Sequence, residues 1–487
     1  MHWKQFLLIF SAFSVVSAYK ILVYSQKNGR SQVIYMGQLS EILINAGHDV
    51  TVLHVGMDPD VTINATNKAK IVSIPVSPKA NEYFKMNSLN EAWELDVSDP
   101  LAQNELIRTY SMMMADQCEF TATHNEIFAH LRRQNFDLML HELFDNCQLG
   151  ILQMLEIKKH IALQSTVLWE GISEAVGVPN IPSVVPSSFA TNGNEMNIFE
   201  RRIIDDATFI ITNSDPFLDF PHPIVSKVIE LGGLCVNKPK TLSEDWKNVL
   251  EKRDKAVFIS FGSIAKSHTM PMNFKKSIAE VIKSFPDVTF IWKYETNETE
   301  FLNGIENVYV SSWVPQNDVL NHSNTKLFVT HGGMNSILEA SHRGVPVVGV
   351  PLFGDQMRNI RMIEALGTGA HFERLNLGDA HQLKTTISRV LSDKSYEENA
   401  KRVAFMIANR PIDLQHSFLR HVEFAAKFGP IPSMTSVAPS MNVFSYYMLD
   451  VLCILLLLIV SFVVSAYLVL KKLYVCLVSS TQKLKSN

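Results

Sequence analysis

Short apolar runs alternate with amphipathic stretches along most of the chain. Ile21 to Tyr24 is apolar and short, as a buried strand would be. Tyr35 to Ala46 follows with Leu39, Ile42 and Leu43 on one helical face, and Gly47 stands where a helix would stop. Val50 to Val55, Phe136 to Leu140 and Ile161 to Leu163 are further strand candidates, and Phe209 to Thr212 is expected to be the last strand of the first half. The stretch Asn237 to Trp246 is polar, contains Pro239 and reads as a linker.

A second alternating set begins at Ala256 to Phe261 and continues through Phe290 to Trp292, Leu327 to Thr330 and Val347 to Val350. Helices are expected near Pro271 to Phe285, Asn335 to His342 and Gln382 to Leu391, with one more from Pro411 to Phe428, broken by Gly429-Pro430. Strand–helix alternation of this kind predicts mainly parallel sheets. The expected fold class is α/β: two Rossmann-like domains, 19–240 and 241–430, facing a cleft. Ligands of such sheets bind beyond the carboxyl ends of the strands.

Both ends depart from this pattern. Lys4, the apolar run Phe6 to Val16 and the small residues Ser17 and Ala18 have the layout of a secretory signal over 1–18. After a linker at 431–445, Tyr446 to Leu470 is almost wholly apolar and long enough for a single transmembrane helix. Asp450 lies near its start. Lys471 and Lys472 follow it, and the tail 471–487 is basic, which assigns that tail to the cytosol and the preceding domains to the lumen. The ending Lys483-Leu484-Lys485-Ser486-Asn487 resembles a dilysine signal for retrieval to the endoplasmic reticulum, an address and not an anchor.

Composition narrows the class. A hydrophobic content of 47% over 487 residues suits two globular domains with added membrane segments. The net charge of −4, with no Lys/Arg block, argues against a nucleic-acid partner. Asn64-Ala-Thr66, Asn297-Glu-Thr299 and Asn321-His-Ser323 are glycosylation sequons. Outside the span and tail the cysteines are Cys118, Cys147 and Cys235, an odd set that implies no disulfide framework.

The candidate chemistry is concentrated between Trp313 and Gln356. An apolar strand, Lys326 to Thr330, runs into His331-Gly332-Gly333, and a helix begins near Met334 or Asn335. A strand, glycine turn and helix in this order aim backbone N–H groups and the positive helix end at the cleft, a ready site for a diphosphate. His331, Asn335 and Ser336 can add donors there. Trp313-Val-Pro315-Gln316 precedes this turn, Glu339 lies about two helical turns past His331, and Gly354-Asp355-Gln356 closes the segment.

With these residues in place the chain resembles the UDP-glycosyltransferase family, animal UDP-glucuronosyltransferases included. Phe261-Gly262-Ser263, Gly47-His48-Asp49-Val50-Thr51 and Glu230-Leu231-Gly232-Gly233 match weaker landmarks of that family. The resemblance implies a GT-B fold and a set of roles. Trp313 would stack on uracil, with Gln316 at the base edge or ribose and Glu339 on the ribose hydroxyls. Ser263, His331, Gly333, Asn335 and Ser336 would hold the diphosphate, and Asp355 and Gln356 the sugar. A UDP-sugar is then the donor substrate. No resident cofactor or metal is implied. The partner substrate would be a small lipophilic acceptor, and a homo-oligomer stays open.

Two positions depart from the family. Its catalytic histidine follows the first strand, and here that place holds Gln32, within Asn28-Gly29-Arg30-Ser31-Gln32. The aspartate that supports the histidine lies at a strand end, five residues before a cysteine; here that place is Glu142, before Cys147. Positioned bases contribute roughly 10²–10⁴-fold, and an amide has no useful basicity at neutral pH. Three readings follow: an active transferase with altered acceptor choice served by Glu142, a UDP-sugar-binding pseudoenzyme, or a different histidine such as His54 or His124 as base. His141 adjoins Glu142, but neighbours on a strand face opposite ways.

Overall fold

A computed structural model of the chain describes residues 18–86, 93, 100–178, 204, 206–436 and 441–485. The expected signal segment therefore lies outside the described residues, apart from Ala18. So does most of Leu168 to Ile203, one of the stretches from which an acceptor pocket would be built.

Two parallel sheets carry the fold. The first contains β1 (Lys20–Lys27), β2 (Asp49–Gly56), β3 (Lys70–Ile74), β4 (Leu138–Glu142), β5 (His160–Gln164), β6 (Phe209–Thr212) and β7 (Val228–Glu230). Their order across the sheet is β3-β2-β1-β4-β5-β6-β7. The second contains β8 (Lys255–Ser260), β9 (Val288–Lys293), β10 (Val308–Ser311), β11 (Thr325–Thr330), β12 (Val347–Gly349) and β13 (Gly369–His371), in the order β10-β9-β8-β11-β12-β13. Both sheets reverse direction of winding at one point, between β1 and β4 in the first and between β8 and β11 in the second. At such a switch point adjacent loops diverge and open a crevice beyond the strand ends.

The central strands read as continuous apolar runs because both faces are covered. Ile21, Leu22 and Val23 of β1 and Val257, Phe258 and Ile259 of β8 are all buried. Four strands were invisible to the hydrophobic pattern: β3, β7, β10 and β13, which are the edges of the two sheets. Phe209–Thr212 is consequently not the last strand of the first half, since Val228–Glu230 pairs with it in parallel register. The first helix also begins earlier than its apolar periodicity suggests, spanning Arg30–Asn45. Its first turn, Arg30-Ser31-Gln32, is polar because it faces the crevice and not the core.

The helix Leu414–Phe428 returns to the first sheet. Its Phe418, Val422, Ala425 and Ala426 are buried in one cluster with Ile21, Val23, Leu138 and Ile161. Burying a Phe in this way contributes roughly 1.5–3 kcal/mol. Arg410, just before that helix, ties the same segment to the first half through Asp215 at 2.7 Å. Gly429, at φ 71°, ends the helix. Cys118 on the helix Pro100–Ala122 is joined to Cys147 by a disulfide, which corrects the expectation of no framework: the odd cysteine is Cys235.

Residues 436–487 form a separate unit. Its helix Leu449–Lys485 includes a stretch, Leu449–Leu477, long and apolar enough to cross a bilayer. The apolar part starts and ends later than Tyr446 to Leu470.

Candidate active site

The two switch points meet. Gly29, after β1, lies so near Ile264, after β8, that a Cβ there would stand 3.1 Å from the Ile264 Cδ1. Trp93 reaches across from the first half, buried, with its ring edge-on to Phe261 at 5.1 Å and its N–H donating to the Lys266 carbonyl at 3.3 Å. Lys266 in turn pairs with Asp60 at 2.6 Å.

On the second sheet, His331 follows β11 and the helix Met334–Arg343 starts at Gly333 with no side-chain cap on its first turn. The positive helix end is thus left for an anion. The imidazole of His331 fits between two glycines: a Cβ on Gly262 would stand 2.7 Å from its Cε1, and one on Gly333 would stand 2.6 Å from its Nε2. These glycines make room for a side chain of the protein as much as for a ligand. Burial, reinforced by the charge of Lys293, pushes the His331 pKa down to about 4, so the ring is neutral at pH 7. Lys293, at the end of β9, is a cation beside this turn that the sequence pattern did not single out; its Nζ donates to the Gly262 carbonyl at 2.8 Å. Ser263 lies in the same loop, partly buried.

Gln316 opens the short helix Gln316–Leu320, and its amide donates to Glu339 Oε2 at 2.7 Å and to Ser336 Oγ at 3.2 Å. Burial pushes the Glu339 carboxyl up to about 7, against the bond from Gln316. Trp313 is half exposed, and the guanidinium of Arg30 stacks over its ring at 4.3 Å. Arg30 comes from the other half of the molecule. Asp355 precedes the helix Gln356–Ala365 and accepts from Asn359 at 2.7 Å. The Gln356 carbonyl oxygen accepts from the Leu352 and Phe353 N–H groups, so only its NH₂ end can serve a sugar.

On the first sheet Glu142 is the last residue of β4, buried, with the Ser165 hydroxyl donating to its Oε1. Burial raises its carboxyl to about 7; hydrogen bonds from Ser165 and the Gln32 side chain oppose the rise, and the nearby Asp145 adds to it. Gln32 and Glu142 are therefore in contact. His141 points away and pairs with His160 at 2.9 Å. His54 receives the Ala65 N–H and His124 bonds the Phe120 carbonyl, so both have partners elsewhere. Asn213, after β6, links the two halves: its amide donates to the Ser165 carbonyl at 2.9 Å and to Asn335 Oδ1 at 3.0 Å. That couples the partner of Glu142 to the first turn of the helix Met334–Arg343.

Asp219, His222 and Glu230 also approach one another within 4.8 Å. Asp219 is held by Arg358 at 2.6 Å, and His222 Nε2 lies 3.8 Å from a Glu230 carboxylate oxygen.

The whole arrangement, with two switch points closed on one crevice, has close counterparts. The family model described as UDP-glucoronosyl and UDP-glucosyl transferase matches residues 19–206 and 202–485. The chain belongs to this family. A putative UDP-glucuronosyltransferase of Caenorhabditis briggsae is 28% identical, over 92% of this chain and 91% of the relative. UDP-glucuronosyltransferase 1A9 of Mus musculus is 25% identical, over 94% and 92%. A solved UDP-glucose: anthocyanidin 3-O-glucosyltransferase in complex with UDP superposes with a TM-score of 0.61 at 16% identity, covering 84% of this chain and 98% of that one. The architecture is accordingly GT-B, with one C-terminal helix able to span a membrane, and the protein is a glycosyltransferase by family.

Proposed function

We propose that the protein transfers a hexosyl group, glucuronate or glucose, from a UDP-sugar to a small lipophilic acceptor, with inversion at the anomeric carbon and with Glu142 as the base. The observation that carries the reading is the buried carboxyl of Glu142 at the first switch point, linked through Ser165 and Asn213 to Asn335 beside the turn of the second. Trp313, Gln316 and Glu339 take the uridine. Ser263, His331, Gly333, Asn335 and Ser336 take the diphosphate, beside a Lys293 that is itself paired with Glu295 at 3.0 Å, and Asp355 and Gln356 take the sugar. The acceptor nucleophile attacks C1, and the C1–O bond to the β-phosphate breaks with its electron pair leaving on UDP. The proton of the nucleophile passes to Glu142. A carboxyl pushed up to about 7 suits this task because it is about half ionised at neutral pH yet basic enough to hold a proton. The leaving diphosphate is stabilised by groups fixed in place beforehand, ordinarily the largest contribution to such a step. No resident cofactor takes part.

The same reading sets the protein in the endoplasmic reticulum membrane as a single-pass type I protein with lumenal catalytic domains. Asn64, Asn297 and Asn321 are all exposed, as glycan acceptors must be. The test is UDP release from purified full-length protein with UDP-glucuronate and UDP-glucose across phenol, amine, thiol and acid acceptors. Acceptor-dependent release with either donor supports the proposal. UDP binding without turnover on any acceptor identifies a pseudoenzyme instead.

A further inference from the structure

Beside Glu142 the first sheet holds a second carboxylate that the transfer step does not use. Asp145 is partly buried; its Oδ2 accepts from Gln26 Nε2 at 2.6 Å and its Oδ1 from the Cys147 N–H at 3.2 Å. Burial raises the Asp145 carboxyl to about 6, and its charge in turn raises Glu142. The main influences on both groups are burial and hydrogen bonds, joined for Glu142 by the charge of Asp145. Around them stand side-chain oxygens that accept nothing. Gln148 is fully buried, with its NH₂ on the Asp145 carbonyl and its Oε1 unpaired. Asn28 is 5% exposed, with its NH₂ on Gln26 Oε1 at 2.6 Å and its Oδ1 unpaired. The Oε1 of Gln32 is unpaired as well, and so is the Tyr24 hydroxyl, which lies within reach of the Asp145 charge.

Asp145 is met by Gln26 and by backbone N–H groups, and Glu142 by Ser165 and Gln32, whereas the three amide oxygens and the Tyr24 hydroxyl meet no partner. Buried polar atoms of native proteins ordinarily have partners, and a buried carboxylate pair favours a positive charge between its members. An aromatic wall adjoins the same atoms. Tyr110 lies near Asp145, Asp58 and Glu142, whose charges add to burial in raising its phenol pKa. Its ring meets Phe144 edge-on at 6.2 Å, and Phe144 meets Trp169 at 5.4 Å. Aromatic faces beside carboxylates suit an organic cation.

We infer that the acceptor is a lipophilic amine, held by Asp145 through its ammonium group and by the Tyr110–Phe144–Trp169 wall through its hydrocarbon. This rests on the transferase reading above and names its substrate class. The ammonium gives one proton to Asp145, and the freed nitrogen lone pair attacks C1 of the sugar. The C1–O bond breaks toward UDP, the second N–H proton passes to Glu142, and an N-glycoside forms. Gln32 holds the amine through its free oxygen. An imidazole in its place would gain a like charge beside the ammonium whenever it took up a proton.

The test uses the full-length protein in detergent, saturated with UDP, and compares 2-naphthylmethylamine with 2-naphthalenemethanol by calorimetry at pH 7.5. Tighter binding of the amine by about 30-fold is expected, the scale for losing one partner of a buried hydrogen-bonded charge pair. Asp145→Asn should reduce this preference to within about threefold, and Asp145→Glu should restore part of it; a merely structural Asp145 would shift both ligands alike. Equal or tighter binding of the alcohol, or a preference that survives Asp145→Asn, overturns the inference. Turnover with UDP-sugar is read separately. Glycosylation of the alcohol in preference to the amine retires the amine and leaves the transferase standing. Amine binding without transfer retires the transferase and leaves the amine site standing.

Discussion

Replacing Glu142 by Gln should move activity and stability in opposite directions. The carboxyl is 2% exposed and titrates near 7 because burial outweighs its hydrogen bonds, whereas its ordinary value is 4.5. A folded-state pKa above the unfolded one means that the fold favours the protonated form. The favourable contribution is complete below about pH 4.5 and disappears as pH rises through 7. Above pH 7 the fold holds a buried carboxylate at a cost of about 3 kcal/mol, taking about 1.4 kcal/mol for each pH unit of displacement. The variant has no charge to bury, and its amide oxygen can still accept from Ser165. Thermal unfolding at pH 8 should therefore occur at a higher temperature for Glu142→Gln than for the parent, with the difference closing by pH 5. Activity should fall by roughly 10²–10⁴-fold while UDP affinity holds. In the parent, turnover should rise about tenfold per pH unit below 7 and level off above it. A variant that loses stability at pH 8 and keeps turnover within about threefold would refute both the burial argument and the assignment of the base.

Three further outcomes follow from the geometry. Gln32→His should raise turnover of phenols by about tenfold or more, because an imidazole at this position would have Glu142 beside it as its charge partner; no gain in phenol turnover counts against Gln32 as the catalytic position. Gly262→Ala forces a side chain into the left-handed region, φ 86°, and onto the His331 ring. Backbone strain alone costs about 1–2 kcal/mol, so UDP affinity measured by calorimetry should weaken about tenfold or more. Asn213→Ala removes the bridge between Ser165 and Asn335 and leaves their oxygens short of a donor. A loss of about 2–4 kcal/mol in chemical denaturation, accompanied by lower kcat, is expected, and a neutral variant would show that the bridge is dispensable.

Much of the fold was legible because central strands and core helices announce themselves. Ile21–Tyr24 and Ala256–Phe261 are buried on both faces, so their apolar runs are unbroken. The edge strands β3, β7, β10 and β13 are short or half-covered, and half-coverage weakens the pattern that marks a strand. The first turn of the helix Arg30–Asn45 was missed for the opposite reason: it is polar because it lines the site. The residues proposed for the donor, between Trp313 and Gln356, could be singled out because they lie within one segment that a strand, a turn and a helix bring together. Lys293, Asp145 and Ser165 were not, because each enters the site from a separate strand or loop, and no spacing along the chain records that meeting. The Cys118–Cys147 bond escaped for the same reason, as parity says nothing about which two of three thiols meet.

The role of Glu142 is tested most directly by acceptor-dependent release of UDP from the full-length protein at pH 7.5, with Glu142→Gln measured alongside. Release should require an acceptor, proceed with UDP-glucuronate or UDP-glucose, and fall at least about a hundredfold in the variant. Equal release by the two proteins, or tight UDP binding with no release on any acceptor, would contradict that role.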